Sequence, residues 1–255
     1  MTYCVGMLVN DGLAMIADTR TNAGVDNISS YKKLHVTEVP GERIIAVATA
    51  GNLSVTQMAL SMVSKGIVMP GCEEPETLET APSMFRAAQL VGHALATVRH
   101  DLTDSLHADA LRLTASMLIG GQVRGGELRL YLIYAQGNFI ECGADTPYLQ
   151  IGEHKYGKPI LDRALRPETP LSEAVKLGLI SFDSTIRSNI AVGPPFDMIV
   201  IRRDSLTGDQ RRMSGDDPYF RELGQKWSQA LAEAHRAMPR PPWMEAAAPA
   251  MKVVR

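Results

Sequence analysis

Cysteine is scarce in this chain: Cys4, Cys72 and Cys142 are its only three, odd in number and far apart. Such spacing offers neither a disulfide framework nor a metal-ligand pattern, and it suits a reduced, cytoplasmic protein. No apolar run approaches the roughly 20 residues that a membrane-spanning helix needs. No basic stretch followed by an apolar core opens the chain, so a secretory leader is not expected. Charge of either sign is also not in excess. The 26 Lys and Arg against 28 Asp and Glu leave a net charge of −2, so neither nucleic acid nor an anionic membrane is an expected partner. Of the few histidines, His93, His100 and His107 lie seven apart on one expected helix. Seven helical residues rise about 10 Å, too far to share one ion, so these histidines are not expected to hold a metal. Internal repeats and interdomain linkers are absent as well.

What is present is ordinary globular material: 255 residues, 45% apolar and 21% charged, enough to bury a sizeable core. Residues 2–9 and 13–18 are short apolar stretches around Asn10-Asp11-Gly12, and Asp-Gly between apolar runs signals a hairpin. Residues 19–30 are polar and turn-rich, 33–39 alternate as a strand, and 43–50 read as a buried one. Gly51-Asn52 then breaks and caps a helix running to about residue 64. Residues 65–82 are loop. Met84, Ala88, Val91, Leu95, Val98 and Leu102 recur at helical spacing and predict a long helix over 83–105. Strands are expected at 113–120 and 128–134, with a further short strand or two within 138–151. Helices are expected near 158–165 and 171–183, a strand at 197–203, and a last helix at 218–236. Strands alternating with pairs of helices suit an α+β architecture of two stacked antiparallel sheets covered by helices. The Pro/Ala-rich end, 238–255, reads as an extended arm beside a domain spanning 2–237.

The chemistry concentrates at Met1-Thr2. Methionine aminopeptidases remove Met before a side chain as small as Thr, which would place a hydroxyl and a free α-amine on one residue. An α-amine titrates near pH 8, so part of it is neutral at pH 7 and able to take the hydroxyl proton. The plain alternative is that Thr2 merely begins a strand.

Thr2, Ala17-Asp18-Thr19-Arg20, Lys32-Lys33-Leu34 and Thr49-Ala50-Gly51-Asn52, in that order, together resemble the proteasome β-type N-terminal-nucleophile hydrolases. The run Thr21-Asn22-Ala23-Gly24-Val25-Asp26, the segment from Gly152-Glu153-His154 to Leu161 and the extended C-terminus are similar to the bacterial Anbu (ancestral β-subunit) branch. The resemblance covers residues 2 to about 237. It implies a four-layer αββα sandwich and a threonine-type hydrolase, most simply a peptidase, with Thr2 as nucleophile and with no metal or other cofactor needed. Lys33 matches the family's lysine, with Lys32 as the alternative, and Asp18 matches the carboxylate paired with it. Gly51 matches the oxyanion-hole glycine. Glu153 stands where the family has a serine between glycines. Asp183 and Ser184 resemble a pair on the loop after the fourth helix, although Ser188-Asn189 is an alternative alignment.

By the same resemblance Asn22, Gly51 and Leu53 would bind an extended substrate as an added strand, while Thr21, Tyr31, His35 and Thr49 would line the pocket for its side chain. The implied partners are a peptide or protein substrate and further copies of the chain, in a ring or an open helical assembly, with no unfoldase specified. The apolar face of the 83–105 helix and the C-terminal arm are the candidate contacts. Two rival readings keep the same fold: an amidase acting on a non-peptide or isopeptide-type amide, and a non-catalytic assembly subunit that retains Met1.

Overall fold

The computed structural model describes residues 1–22, 28–106 and 113–245. His107, the residues Ala23, Gly24, Val25 and Asp26 of the family-like run, and residues 246–255 of the arm lie outside the described residues. By contacts the chain divides into two units, the first being Met1–Asp217 and the second beginning at Pro218.

In the first unit, β1 (Tyr3–Val9) and β2 (Gly12–Asp18) form the hairpin expected from Asn10-Asp11-Gly12. They continue through β3 (Arg20–Asn22), β4 (Ile28–Ser30), β5 (Leu34–Val39) and β6 (Arg43–Gly51) to α1 (Leu53–Lys65) and α2 (Met84–Leu106). Then come β7 (Ala115–Val123), β8 (Arg129–Ile133), β9 (Phe139–Glu141) and β10 (Tyr148–Gly152). Two further helices, α3 (Lys158–Ala164) and α4 (Leu171–Ser188), precede β11 (Phe196–Arg202) and β12 (Gly208–Met213). One five-stranded sheet runs β10-β1-β2-β11-β12 and the other β5-β6-β7-β8-β9, while β3 and β4 make a small ribbon. Each neighbouring pair is antiparallel.

Period-two alternation sorts each strand between two buried layers. Leu13, Met15 and Ala17 of β2 meet Ile44, Ala46 and Ala48 of β6 between the sheets. Ile45 and Val47 of β6 face the opposite way, into a core shared with Val55 and Ala59 of α1 and Val91 and Leu95 of α2. The first sheet carries α4 on its outer face, where Met7 and Ile16 close on Gly178. Strands covered on both sides read as continuous apolar runs, which is why residues 43–50 show no polar alternation. The result is the four-layer αββα sandwich.

Four expectations change. The helix expected over 171–183 continues to Ser188, its last turns held by the Asp183–Arg187 ion pair and by Thr185 Oγ1 donating to the Ser181 carbonyl. The polar stretch 19–30 contributes β3 and β4, and β12 was not expected at all. The apolar face of α2, expected as a subunit contact, is consumed inside the subunit, since Met84, Ala88, Val91, Leu95 and Val98 are all buried against the sheet and α1. On the same helix His100 is exposed and lies 3.5 Å from Asp104.

The second unit contains α5 (Pro218–Ala237) and the short α6 (Pro242–Glu245). Among the described residues no helix is long and apolar enough to cross a membrane, and no group of three His, Cys, Asp or Glu side chains gathers as a metal site.

Candidate active site

The β1–β2 hairpin brings the start of one strand beside the end of the other. Cys4 pairs with Ala17, so Tyr3 lies opposite Asp18 and its N–H donates to Asp18 Oδ1 at 3.0 Å. Thr2, the residue before, is 92% out of solvent, while Met1 is largely exposed. Across the site, β5 begins at Leu34 and leaves Lys33 pointing inward. Its Nζ donates to the same Asp18 Oδ1 at 2.9 Å and to the Arg20 carbonyl at 2.6 Å. The Gly193 N–H donates to Asp18 Oδ2 at 3.4 Å.

Asp18 is wholly buried and Lys33 nearly so. Burial pushes the Asp18 carboxyl above the ordinary carboxylate range, against the pull of Lys33 and of the two backbone donors. A charge so placed is tolerable only because it is paired and hydrogen-bonded.

Above the pair, β6 ends at Gly51 with φ +104°. A Cβ there would run into the Thr114 carbonyl and Ala115, so the turn from strand to helix requires glycine. Asn52 caps α1 by accepting the Val55 N–H at 3.2 Å. A cavity of about 240 Å³ opens over Thr2, with Lys33, Thr49, Gly51 and the α1 residues Leu53 and Thr56 in its wall. It therefore combines a hydroxyl, an ammonium, and the positive end of a helix dipole.

A family model described as Proteasome subunit matches residues 2–201. The chain belongs to the proteasome family, in its Anbu branch. Anbu (ancestral β-subunit) from Yersinia bercovieri is 43% identical, with a TM-score of 0.84 over 94% of this chain and 98% of that one. An Anbu (Gly-1) mutant from Hyphomicrobium sp. strain MC1 is 45% identical, with a TM-score of 0.85 over 94% of this chain and 99% of that one. A structure described as the helical assembly of the Anbu complex from Pseudomonas aeruginosa is 42% identical, with a TM-score of 0.83 over 94% and 98% of the two chains. Among curated proteins nothing matches. The fold is thus that of a proteasome-like N-terminal-nucleophile hydrolase.

Within this Anbu-type frame, Thr2, Thr21, Lys33, Thr49, Gly51 and Leu53 share one cavity, with Asp18 beneath Lys33. Lys32 is exposed and Lys33 takes the inward place. Glu153 lies close by: its N–H donates to the Thr2 carbonyl at 2.7 Å. Its carboxylate accepts from Asn189 Nδ2 at 3.0 Å. Gly152 (φ +80°) allows that approach, because a Cβ would strike the Thr2 carbonyl.

Other expected residues stand apart. Asp183 and Ser184 are inside α4 rather than on the loop after it, and Asp183 is engaged by Arg187 at 2.8 Å. Asn189, at the helix end, is the residue that reaches the Thr2 side through Glu153. His35 lines a neighbouring cavity of about 430 Å³ with Val47, Gln57 and Leu60. Burial, with Lys32 beside it, lowers its pKa. Tyr31 is 42% exposed and outside the Thr2 cavity wall. Asn22 is placed by its backbone in β3, with its side chain outside the described residues. The Gly193 amide and the Arg20 carbonyl, both holding the Asp18–Lys33 pair, carried no sequence signal. Backbone groups belong to every residue, and Gly193 arrives from a loop 175 residues away.

Proposed function

We propose that this chain is a threonine-type peptidase whose nucleophile is Thr2 after loss of Met1. The observation that carries the reading is the buried Lys33–Asp18 pair, with Lys33 in the wall of the Thr2 cavity. With Met1 removed, the Thr2 α-amine takes the proton of its own hydroxyl, directly or through a water, as the oxygen attacks the substrate carbonyl. The Lys33 ammonium disfavours protonation of that amine and stabilises the developing alkoxide, and Asp18 fixes the ammonium. The carbonyl oxygen gains negative charge in the tetrahedral intermediate. The Gly51 backbone amide and the N-terminal end of α1 are the groups we assign to meet it. Collapse returns the proton to the leaving amine and leaves an ester on Thr2 Oγ1, which water hydrolyses with the α-amine again as base. Glu153, held by Asn189, would steady the Thr2 end of β1. The substrate would lie extended along the edge made by Thr21, Asn22, Gly51 and Leu53.

We further infer that copies of the chain assemble, as the Pseudomonas aeruginosa relative is described as doing. The three free thiols suit a cytoplasmic setting.

The test is the intact mass of the purified protein with and without a peptide epoxyketone. That warhead closes its stable ring only on a hydroxyl and a free α-amine of one residue. The expected result is a chain lighter by one Met that gains one inhibitor mass, with no gain in Thr2→Ala. A chain that keeps Met1 and takes no adduct would remove the mechanism and favour a non-catalytic assembly role. Comparing hydrolysis of peptide, isopeptide and small-amide substrates separates a peptidase from an amidase.

A further inference from the structure

Three contacts fix Glu153 on the N-terminal side of Thr2. Gly152, with φ +80°, ends β10 against the Thr2 carbonyl, and the Glu153 N–H donates to that carbonyl at 2.7 Å. Glu153 Oε2 accepts from Asn189 Nδ2 at 3.0 Å. The amide is turned this way because Asn189 Oδ1 already accepts the Ala191 N–H at 3.0 Å, leaving the NH2 group for Glu153. The same Nδ2 lies 3.6 Å from Met1 Sδ. The Asn189–Glu153 pair therefore faces the residue whose loss would free the Thr2 α-amine. The loop that follows Asn189 is tied down, with Arg20 Nη1 donating to the Ile190 carbonyl at 2.8 Å and the Gly193 N–H to Asp18.

The charges around that amine can be sorted one by one. Lys33 stands in the cavity wall with Asp18 as its partner. The Glu153 side chain is only 13% exposed. Lys155 lies 3.9 Å from its Oε1 but has 76% of its own side chain in water, so it neutralises Glu153 little. Asp183 and Arg187, in the last turns of α4, pair with each other at 2.8 Å. Arg20 is engaged by the Ile190 carbonyl, and His154 is exposed. Burial keeps Tyr3 and Cys4, next along β1, uncharged. Lys33 and Glu153 remain as the two opposed charges. An ammonium nearby pushes an amine towards its neutral form, which frees it as a base but also weakens it as one. A carboxylate nearby does the reverse.

We propose that Glu153 is the counter-charge of the freed Thr2 α-amine: its carboxylate, held in place by Asn189, keeps that amine basic enough to take the hydroxyl proton. The inference rests on Thr2 being the nucleophile. Glu153 acts here as a positioning residue, since it sets the amine and touches no reacting carbon.

The experiment titrates the Thr2 α-amine in the full chain through the pH dependence of its carbamylation by cyanate, read on the N-terminal peptide by mass spectrometry. Glu153→Gln keeps an acceptor for Asn189 and the backbone bond to Thr2, and removes only the charge. The midpoint of the amine is expected about one pH unit lower in this variant, the size of a charge interaction across several ångströms in a partly buried site. Asn189→Ala releases the carboxylate towards water and is expected to move the midpoint the same way by less. The acidic limb of the pH profile of epoxyketone capture should move with the midpoint in both variants. A purely structural role would slow capture at every pH and leave the midpoint in place. That result, or a midpoint that rises in Glu153→Gln, would overturn the inference and leave Thr2 as the nucleophile. A chain that retains Met1 would overturn the mechanism and the inference together.

Discussion

Asp18 holds three donors while wholly out of water: Lys33 Nζ, the Tyr3 amide and the Gly193 amide. Removing the ammonium by Lys33→Met leaves a buried carboxylate with only backbone partners, and is expected to cost roughly 3–5 kcal/mol at neutral pH. The pH dependence has a definite sign. The folded carboxyl is already raised by burial, and without Lys33 it rises further. The native state then binds the proton more tightly than the unfolded chain does, so stability increases as pH falls through the window between the two values. The deficit of Lys33→Met should therefore shrink on acidification, read as urea midpoints at neutral and mildly acidic pH; an equal deficit at both would contradict it. The thiols give a second check at this scale. Burial raises Cys4, with Asp18 adding to it, and pushes Cys142 up to about 12. Neither should take iodoacetamide in the native protein at neutral pH, whereas both should after denaturation; rapid native labelling of either would contradict its placement. The sequence carried Asp18 and a lysine at the right distance. It put Lys33 first and kept Lys32 as the alternative, because the inward choice depends on where β5 takes up its pairing with β6, Leu34 opposite Ala48.

At the scale of elements, the active end of β1 is braced from outside by α4. Phe182 stacks at 4.5 Å from the Tyr3 ring and 4.9 Å from Phe196. The Tyr3 hydroxyl bonds Ser181 at 3.0 Å and Gln150 at 2.5 Å. Phe182→Ala is expected to cost about 3–5 kcal/mol by opening a cavity in this cluster. Because Tyr3 adjoins Thr2, epoxyketone capture should slow even where the variant is still folded. Denaturant midpoint and adduct rate are the two readings, and full-rate capture in a destabilised variant would separate the brace from the site. Elements with an apolar period or a continuous apolar run were legible from the sequence: β1, β2, β6, α1 and α2. β12 was not, since Gly208–Met213 contains only charged, amide and glycine positions before its Met and lies at a sheet edge with most side chains in water. The last turns of α4 were hidden for a similar reason. Residues 183–188, polar apart from Ile186, add no apolar period and are held by the Asp183–Arg187 pair and the Thr185 back-bond.

At the scale of the whole molecule, the question is which surfaces remain for assembly once the apolar face of α2 is spent in the core. In the second unit Met238 is 62% exposed, Trp243 80% and Met244 74%. Three large apolar side chains within seven residues, standing in water, are a cluster that solvent disfavours and that a neighbouring copy would cover. With a net charge of −2, little long-range repulsion opposes bringing copies together. The full chain should therefore sediment well above its 27.8 kDa monomer mass, and should do so at high salt, where contacts between exposed charges are screened. Deleting residues 238–255 should lower that mass while leaving the sandwich folded, judged by unchanged far-UV circular dichroism. Thr2, the proposed nucleophile, and Lys33 belong to the first unit, so epoxyketone capture by Thr2 should survive in the shortened chain. If the shortened chain sediments as the full one does, the arm is not the contact, and the assembling surface must be sought on the sandwich, where Met58, Val68, Phe85, Ile140 and Ile190 are among the exposed apolar side chains.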